Sequence, residues 1–75
     1  MAYTLSKEEK LSIIDSHRRN LAYNKYNLEM TKIQEEAKDS PSSVALEDLN
    51  SKINEISDQI AALDTEAAAV NALAE

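Results

Sequence analysis

Apolar residues recur along the second half of the chain at alternating intervals of three and four positions. The resulting heptad a and d positions are Leu46, Leu49, Ile53, Ile56, Ile60, Leu63, Ala67, Val70 and Ala74. No polar residue interrupts this series, and it is long enough to be typical of coiled-coil packing. The pattern predicts one helix over about residues 41–73, with an apolar edge that packs along a partner helix.

The first half of the chain carries two apolar stripes on one predicted helix, over about residues 7–38. One stripe consists of Leu11, Ile14, Leu21 and Leu28. The second, which we call the outer stripe, consists of Ala22, Tyr26, Met30, Ile33 and Ala37. Together they cover an arc of roughly 200°, whereas a helix with a single partner needs only about 100°. One neighbouring helix can therefore cover only part of this surface.

Polar residues flank the first stripe on both sides. The flanking heptad positions hold Arg18, Lys25 and Lys32 on one side and His17, Asn24 and Thr31 on the other. A turn near residue 40 places Lys25 near Glu55 or Asp58, so the basic flank is expected beside the acidic second helix.

The two predicted helices are separated at the single proline, Pro41. Proline disfavours the α conformation of the preceding residue but suits the first turn of a new helix, so Ser40 is the expected N-cap of helix two. At the start of helix one, Ser6 and Glu9 have the spacing of a capping box. Two rods joined by a turn at about residues 39–42 must be antiparallel. The predicted fold is all-α, an antiparallel two-helix coiled-coil hairpin in a single domain.

A hairpin of this length encloses no interior, so we expect it to associate with itself. A homodimer in which two hairpins form a four-helix bundle would bury both stripes of helix one, and a trimer fits nearly as well. The expected seam within the hairpin is Leu46, Leu49, Ile53, Ile56, Ile60, Leu63 and Val70 against Ile14, Leu21 and Leu28. The expected interface with another subunit or protein is Arg19, Tyr23, Tyr26, Met30 and Ile33. A turn near residue 40 also places Arg18 beside Asp64.

The composition argues against enzymatic chemistry. The chain has no Gly and no Cys, which removes glycine-rich phosphate loops, disulfides and thiolate chemistry. Its one histidine, His17, cannot build a His-rich metal site. Asp15, Ser16 and His17 are consecutive, and adjacent helical side chains point in different directions, so they cannot form a proton relay. We expect no enzyme activity, no cofactor and no metal.

The net charge of −6 lies entirely in the second half of the chain. Residues 41–75 contain one basic residue, Lys52, and seven acidic residues, whereas residues 1–40 are balanced. We do not expect a nucleic acid partner, because an acidic surface repels phosphates. We expect no membrane span either, since the sequence contains no apolar run long enough for one. We expect a cytoplasmic protein. The acidic second helix leaves an alternative function open, a small regulator that binds a host protein through that helix.

Three phrases of the chain, MAYTLSKEEK, SHRRNLAYNKYNLEM and QIAALDTE, resemble short uncharacterised proteins of marine contractile-tailed cyanophages. The resemblance covers most of the chain but contains no functional motif. It implies a viral origin and a location in the host cytoplasm or in the virion. It supplies no catalytic residues.

Overall fold

The fold is a hairpin of two long antiparallel helices, in a computed structural model that describes residues 4–73. Helix α1 spans Lys7–Glu36 and helix α2 spans Ser43–Asn71. The two form a rod that measures 58 × 20 × 15 Å. The prediction of an all-α helical hairpin is confirmed. The seam position predicted at Ala74 lies outside the described residues.

Helix α1 begins with the predicted capping box. The Ser6 hydroxyl accepts a hydrogen bond from the Glu9 backbone N–H at 3.1 Å, and a Glu9 carboxylate oxygen accepts one from the Ser6 N–H at 3.0 Å. These bonds satisfy backbone donors that the first helical turn leaves unpaired. Because the backbone N–H and the hydroxyl of Ser6 both bind the charged carboxylate, they lower the pKa of Glu9.

The N-cap of α2 is Ser42, so the prediction of Ser40 is wrong. The Ser42 hydroxyl accepts a hydrogen bond from the Ala45 N–H at 3.2 Å, and Ser42 itself has extended backbone angles. Helix α2 therefore starts after Pro41, and the proline lies in the turn rather than in the first helical turn. Ser40, Ser42 and Ser43 lie close together around Pro41, and their spacing alone did not show which of them is the N-cap.

The cap assignment predicts different effects for two serine-to-alanine substitutions. Ser42→Ala is expected to lower the free energy of unfolding by about 1 kcal/mol, because the Ala45 N–H loses its acceptor. Ser40→Ala, two residues earlier, serves as the matched control and is expected to change it by less than about 0.5 kcal/mol. Urea denaturation followed by circular dichroism measures both. A larger loss of unfolding free energy for Ser40→Ala than for Ser42→Ala would show that Ser40 is the N-cap, as the sequence predicted.

One carboxylate, that of Glu35, ties the end of α1 to the start of α2. One of its oxygens accepts a hydrogen bond from the Ser42 N–H at 3.2 Å, and the other contacts the Lys38 ammonium at 3.0 Å. The hydrogen bond from Lys38, together with that from the Ser42 backbone, lowers the pKa of Glu35. A side chain of α1 therefore contributes a direct contact across the turn to the start of α2.

The lowered pKa of Glu35 makes its contribution to stability dependent on pH. A depressed pKa in the folded state means that the stabilisation is present above the ordinary value of 4.5 and is lost as the pH falls through the lower folded value. Glu35→Gln is expected to lower the melting temperature at pH 7, and its difference from the native chain should shrink as the pH approaches about 3.

Thermal melts at several pH values test this prediction. Glu55→Gln is the control, because Glu55 is exposed, lies outside the outer stripe and forms no ion pair with any residue in the range 4–73. If the melting temperatures of Glu35→Gln and the native chain differ by the same amount down to pH 3, the ionised Glu35 carboxylate does not contribute to stability in this way.

The core along the α1–α2 seam is thin. Its buried side chains are Ile14, Leu49, Ala67 and Val70. The other predicted seam residues are half-buried: Leu21, Leu28, Leu46, Ile53, Ile56, Ile60 and Leu63. Ile14, Ala67 and Val70 pack together, with Leu11 and Leu63 against them, near the end of the rod opposite the turn. Within the described residues no large side chain is fully buried.

Candidate interaction surface

An ion pair between the helices shows which flank of α1 lies beside which flank of α2. The Arg18 guanidinium bonds the Asp64 carboxylate at 2.9 Å across the hairpin. The predicted proximity of these two residues is confirmed. We call the broad side of the hairpin that carries this pair the Arg18 side.

The structure resolves which polar flank of α1 lies along the seam. Arg18, Lys25 and Lys32 are half-buried, whereas His17, Asn24 and Thr31 are exposed. Long basic side chains can lay their methylene groups on apolar surface and keep the charge in water, which short amides and hydroxyls cannot do. The acidic character of α2 adds a reason for basic residues to lie there, as the Arg18–Asp64 pair illustrates.

The outer stripe of α1 lies on the Arg18 side and is not covered by α2. Ala22 and Tyr26 follow Arg18 at intervals of four residues, and each step turns about 40° farther from the seam. Tyr26 is 55% exposed and Ile33 is 56% exposed. Met30 is half-buried, and Ala22, Ala37 and Tyr23 are exposed. The outer stripe, together with Tyr23 beside it, thus forms an apolar surface that is open to solvent except at the half-buried Met30.

The part of α2 that shares the Arg18 side is small and mostly uncharged. Asn50 and Ser57 lie beside the seam at the heptad position of Asp64, and the positions beyond them are Glu47, Asn54, Ala61 and Ala68. Apart from Asp64 and Glu47 these side chains are uncharged, so a partner on this side has few charges of α2 to desolvate.

A second apolar surface lies at the end of the rod opposite the turn, where α1 begins and α2 ends, which we call the terminal end. It is an open groove of about 210 Å³, lined by Leu5, Lys10, Ile13, Ile14, Glu66 and Val70. Leu5, Ile13 and Leu73 are large apolar residues that remain substantially exposed near this end. The sequence reasoning missed Ile13, which belongs to neither stripe. An isoleucine next to a seam isoleucine was the available signal.

Asp15, the first of three consecutive polar residues on α1, is engaged in ion pairs within its own helix. Asp15 contacts Arg19 at 3.3 Å and Arg18 at 3.7 Å, and His17 is exposed. In the range 4–73, no three His, Asp or Glu residues are grouped so that they could hold a metal ion. Neither helix, over the residues that the structure describes, combines the length and apolarity of a membrane span.

Comparisons of the chain with protein-family models, with curated proteins and with solved structures find no match. The function of the chain therefore has to be inferred from the residues of its exposed surfaces.

Proposed function

We propose that this chain is a non-enzymatic assembly module whose hairpin associates with a second copy through the outer stripe of α1, and so completes a four-helix bundle. The observation that carries the proposal is the exposure of Tyr26 and Ile33 on a helix whose opposite edge already packs on α2. Burying apolar surface gains roughly 25 cal/mol per Å², and a two-helix hairpin with four buried side chains has few other sources of stability.

The oligomeric state tests this proposal directly. Sedimentation equilibrium over a range of protein concentrations is expected to give twice the chain mass of 8.3 kDa at the upper end, with helicity retained. A mass three times that of the chain would replace the dimer with the trimer. A monomer of unchanged helicity at every concentration would contradict the proposal.

The acidic surface of α2 supports a second candidate, a regulator that binds a basic protein. Of the six acidic residues of α2, only Asp48 and Asp64 form ion pairs with residues in the range 4–73. The remaining four are exposed to solvent: Glu47, Glu55, Asp58 and Glu66. Binding through these carboxylates would weaken steeply with added salt, whereas apolar self-association would not.

The resemblance to cyanophage proteins fits either candidate. A small assembly module suits a phage-encoded structural or accessory protein, and an acidic regulator suits a protein that acts on the host. The salt dependence of binding therefore separates the two proposals where the resemblance does not.

A further inference from the structure

The outer stripe has nearly the same order of side-chain sizes in both directions along α1. It reads Ala22, Tyr26, Met30, Ile33, Ala37, which is small, large, large, large, small. Turning the stripe end for end about a point next to Met30 exchanges Ala22 with Ala37 and Tyr26 with Ile33. In a two-fold symmetric interface each residue meets the counterpart of the residue that meets it, so this order places residues of similar size opposite each other.

The charges at the two ends of the stripe also favour an antiparallel arrangement. At one end Arg19 is largely exposed and pairs with Asp15 of its own helix, and with Arg18 these residues leave one positive charge in excess. At the other end Glu35, Glu36 and Asp39 stand against Lys38, which pairs with Glu35, so two negative charges are in excess. The last turn of α1 itself contains no basic residue that would offset the negative end of the helix dipole. Antiparallel pairing brings Arg19 of each copy to the acidic end of the other. Parallel pairing would place like charges together.

We infer that the outer stripe of α1 packs on the outer stripe of a second copy, with the two α1 helices antiparallel about a two-fold axis beside Met30. This inference rests on the proposed self-association and adds to it the contact surfaces and their direction. Tyr26 of one copy lies against Ile33 of the other, and Ala22 lies against Ala37. The alternative in which α1 packs on α2 of the second copy would set the large residues of the stripe against Asn50 and Ser57.

Overlap of the two Arg18 sides along the stripe, with α2 included, gives a shared surface at the lower end of the standard range. From Arg19 to the turn, α1 is about 30 Å long, and the hairpin is 20 Å wide. An overlap of these dimensions covers about 600 Å² per copy, against the roughly 800 Å² per partner of a standard interface. The two rods would be staggered, and the groove at the terminal end of each hairpin would stay outside the overlap.

One carboxylate, that of Glu29, lies close to the proposed axis. The two copies of this residue would repel each other, and this repulsion limits the affinity. Lys25 and Lys32 lie one helical turn away on either side and moderate it. All three side chains are half-buried.

Disulfide trapping tests both the surface and the direction, because the chain has no cysteine of its own. We would prepare Ala22→Cys, Ala37→Cys and Ala61→Cys as separate proteins, each at an exposed position outside the seam. Each is then oxidised mildly, alone and in equimolar mixtures. The mixture of Ala22→Cys with Ala37→Cys is expected to form dimers about tenfold faster than either protein alone. In an antiparallel pair the two copies of residue 22 are about 22 Å apart, far beyond disulfide reach.

The other outcomes would overturn the inference in distinguishable ways. Fast linking of Ala22→Cys to itself would mean parallel helices, and preferred linking of Ala22→Cys to Ala61→Cys would mean that α1 packs on α2 of the second copy. A dimer seen in sedimentation without any of these links would mean that a different surface is used, with the proposed self-association intact. A monomer in sedimentation would remove both proposals. Circular dichroism of each variant confirms that the helices are retained.

Discussion

Ile14→Asp is expected to unfold the hairpin, whereas Ile13→Asp, one position earlier, is expected to leave its helicity nearly unchanged. Ile14 is 9% exposed and packs with Ala67 and Val70, while Ile13 is 47% exposed. A carboxylate at position 14 would be buried without a partner, and removing the isoleucine side chain alone costs about 2–3 kcal/mol. A hairpin with so few buried residues has little stability to lose.

The two substitutions form a matched pair, because both place the same charge in the same turn of α1. Far-ultraviolet circular dichroism and thermal melts of the two variants measure the difference. Equal loss of helicity in both would show that charge in this turn, and not burial against α2, is what the hairpin fails to tolerate. Equal retention would show that Ile14 is not part of the core.

The second large effect is expected from Ile33→Glu, which should abolish self-association at concentrations where the native chain is dimeric. The substitution removes apolar surface from the outer stripe and places a charge against the partner, which costs at least about 1.5 kcal/mol per copy. Both copies carry the change, so the dissociation constant should rise about a hundredfold or more. Sedimentation equilibrium gives the constant for each protein.

Asn24→Glu is the matched control for this substitution. Asn24 is exposed on α1 and lies on the flank of the helix opposite the outer stripe. Its substitution therefore adds the same charge to the same helix without changing the stripe. We expect its dissociation constant to stay within about threefold of the native value, since isolated surface charges have small effects. If both variants dissociate equally, net charge and not the stripe governs association.

The second helix was the more predictable element of the fold. Its apolar residues recur without interruption, and burial of Leu49, Ala67 and Val70 follows from their heptad positions. The flank of α1 that faces α2 was also predictable, because pairing the two helices across a turn near residue 40 places Arg18 beside Asp64, and the structure contains that ion pair. The hydrophobic pattern alone would not have been enough, since both flanks of α1 are polar.

The turn was predicted in place but not in detail. Pro41 locates the break, yet Ser40, Ser42 and Ser43 were all available as caps. The Ser42 N–H, which a cap at Ser40 could have accepted, instead binds the Glu35 carboxylate of the preceding helix. Such a contact across the turn has no signature in local spacing, because a glutamate near the end of a helix is common and carries no indication of what it binds.

The candidate surface could be predicted from the sequence, because it follows from the width of the apolar arc on α1. An apolar arc wider than one partner can cover implies an uncovered remainder, and Tyr26 and Ile33 lie in that remainder. The groove at the terminal end was not accessible in the same way. It depends on how Leu5 and Ile13 sit around the end of the seam, which requires the packed geometry.

The reversal between α1 and α2 uses no left-handed backbone conformation, since no residue from 4 to 73 has a positive φ. No residue between Lys38 and Ser42 therefore has to be a glycine. At the far tip the Lys7 ammonium contacts the Leu73 carbonyl at 3.4 Å, so the start of α1 is joined to the last described residue after α2. A foreign epitope spliced into the loop would consequently be displayed at one tip of the rod, as far as the molecule allows from that contact.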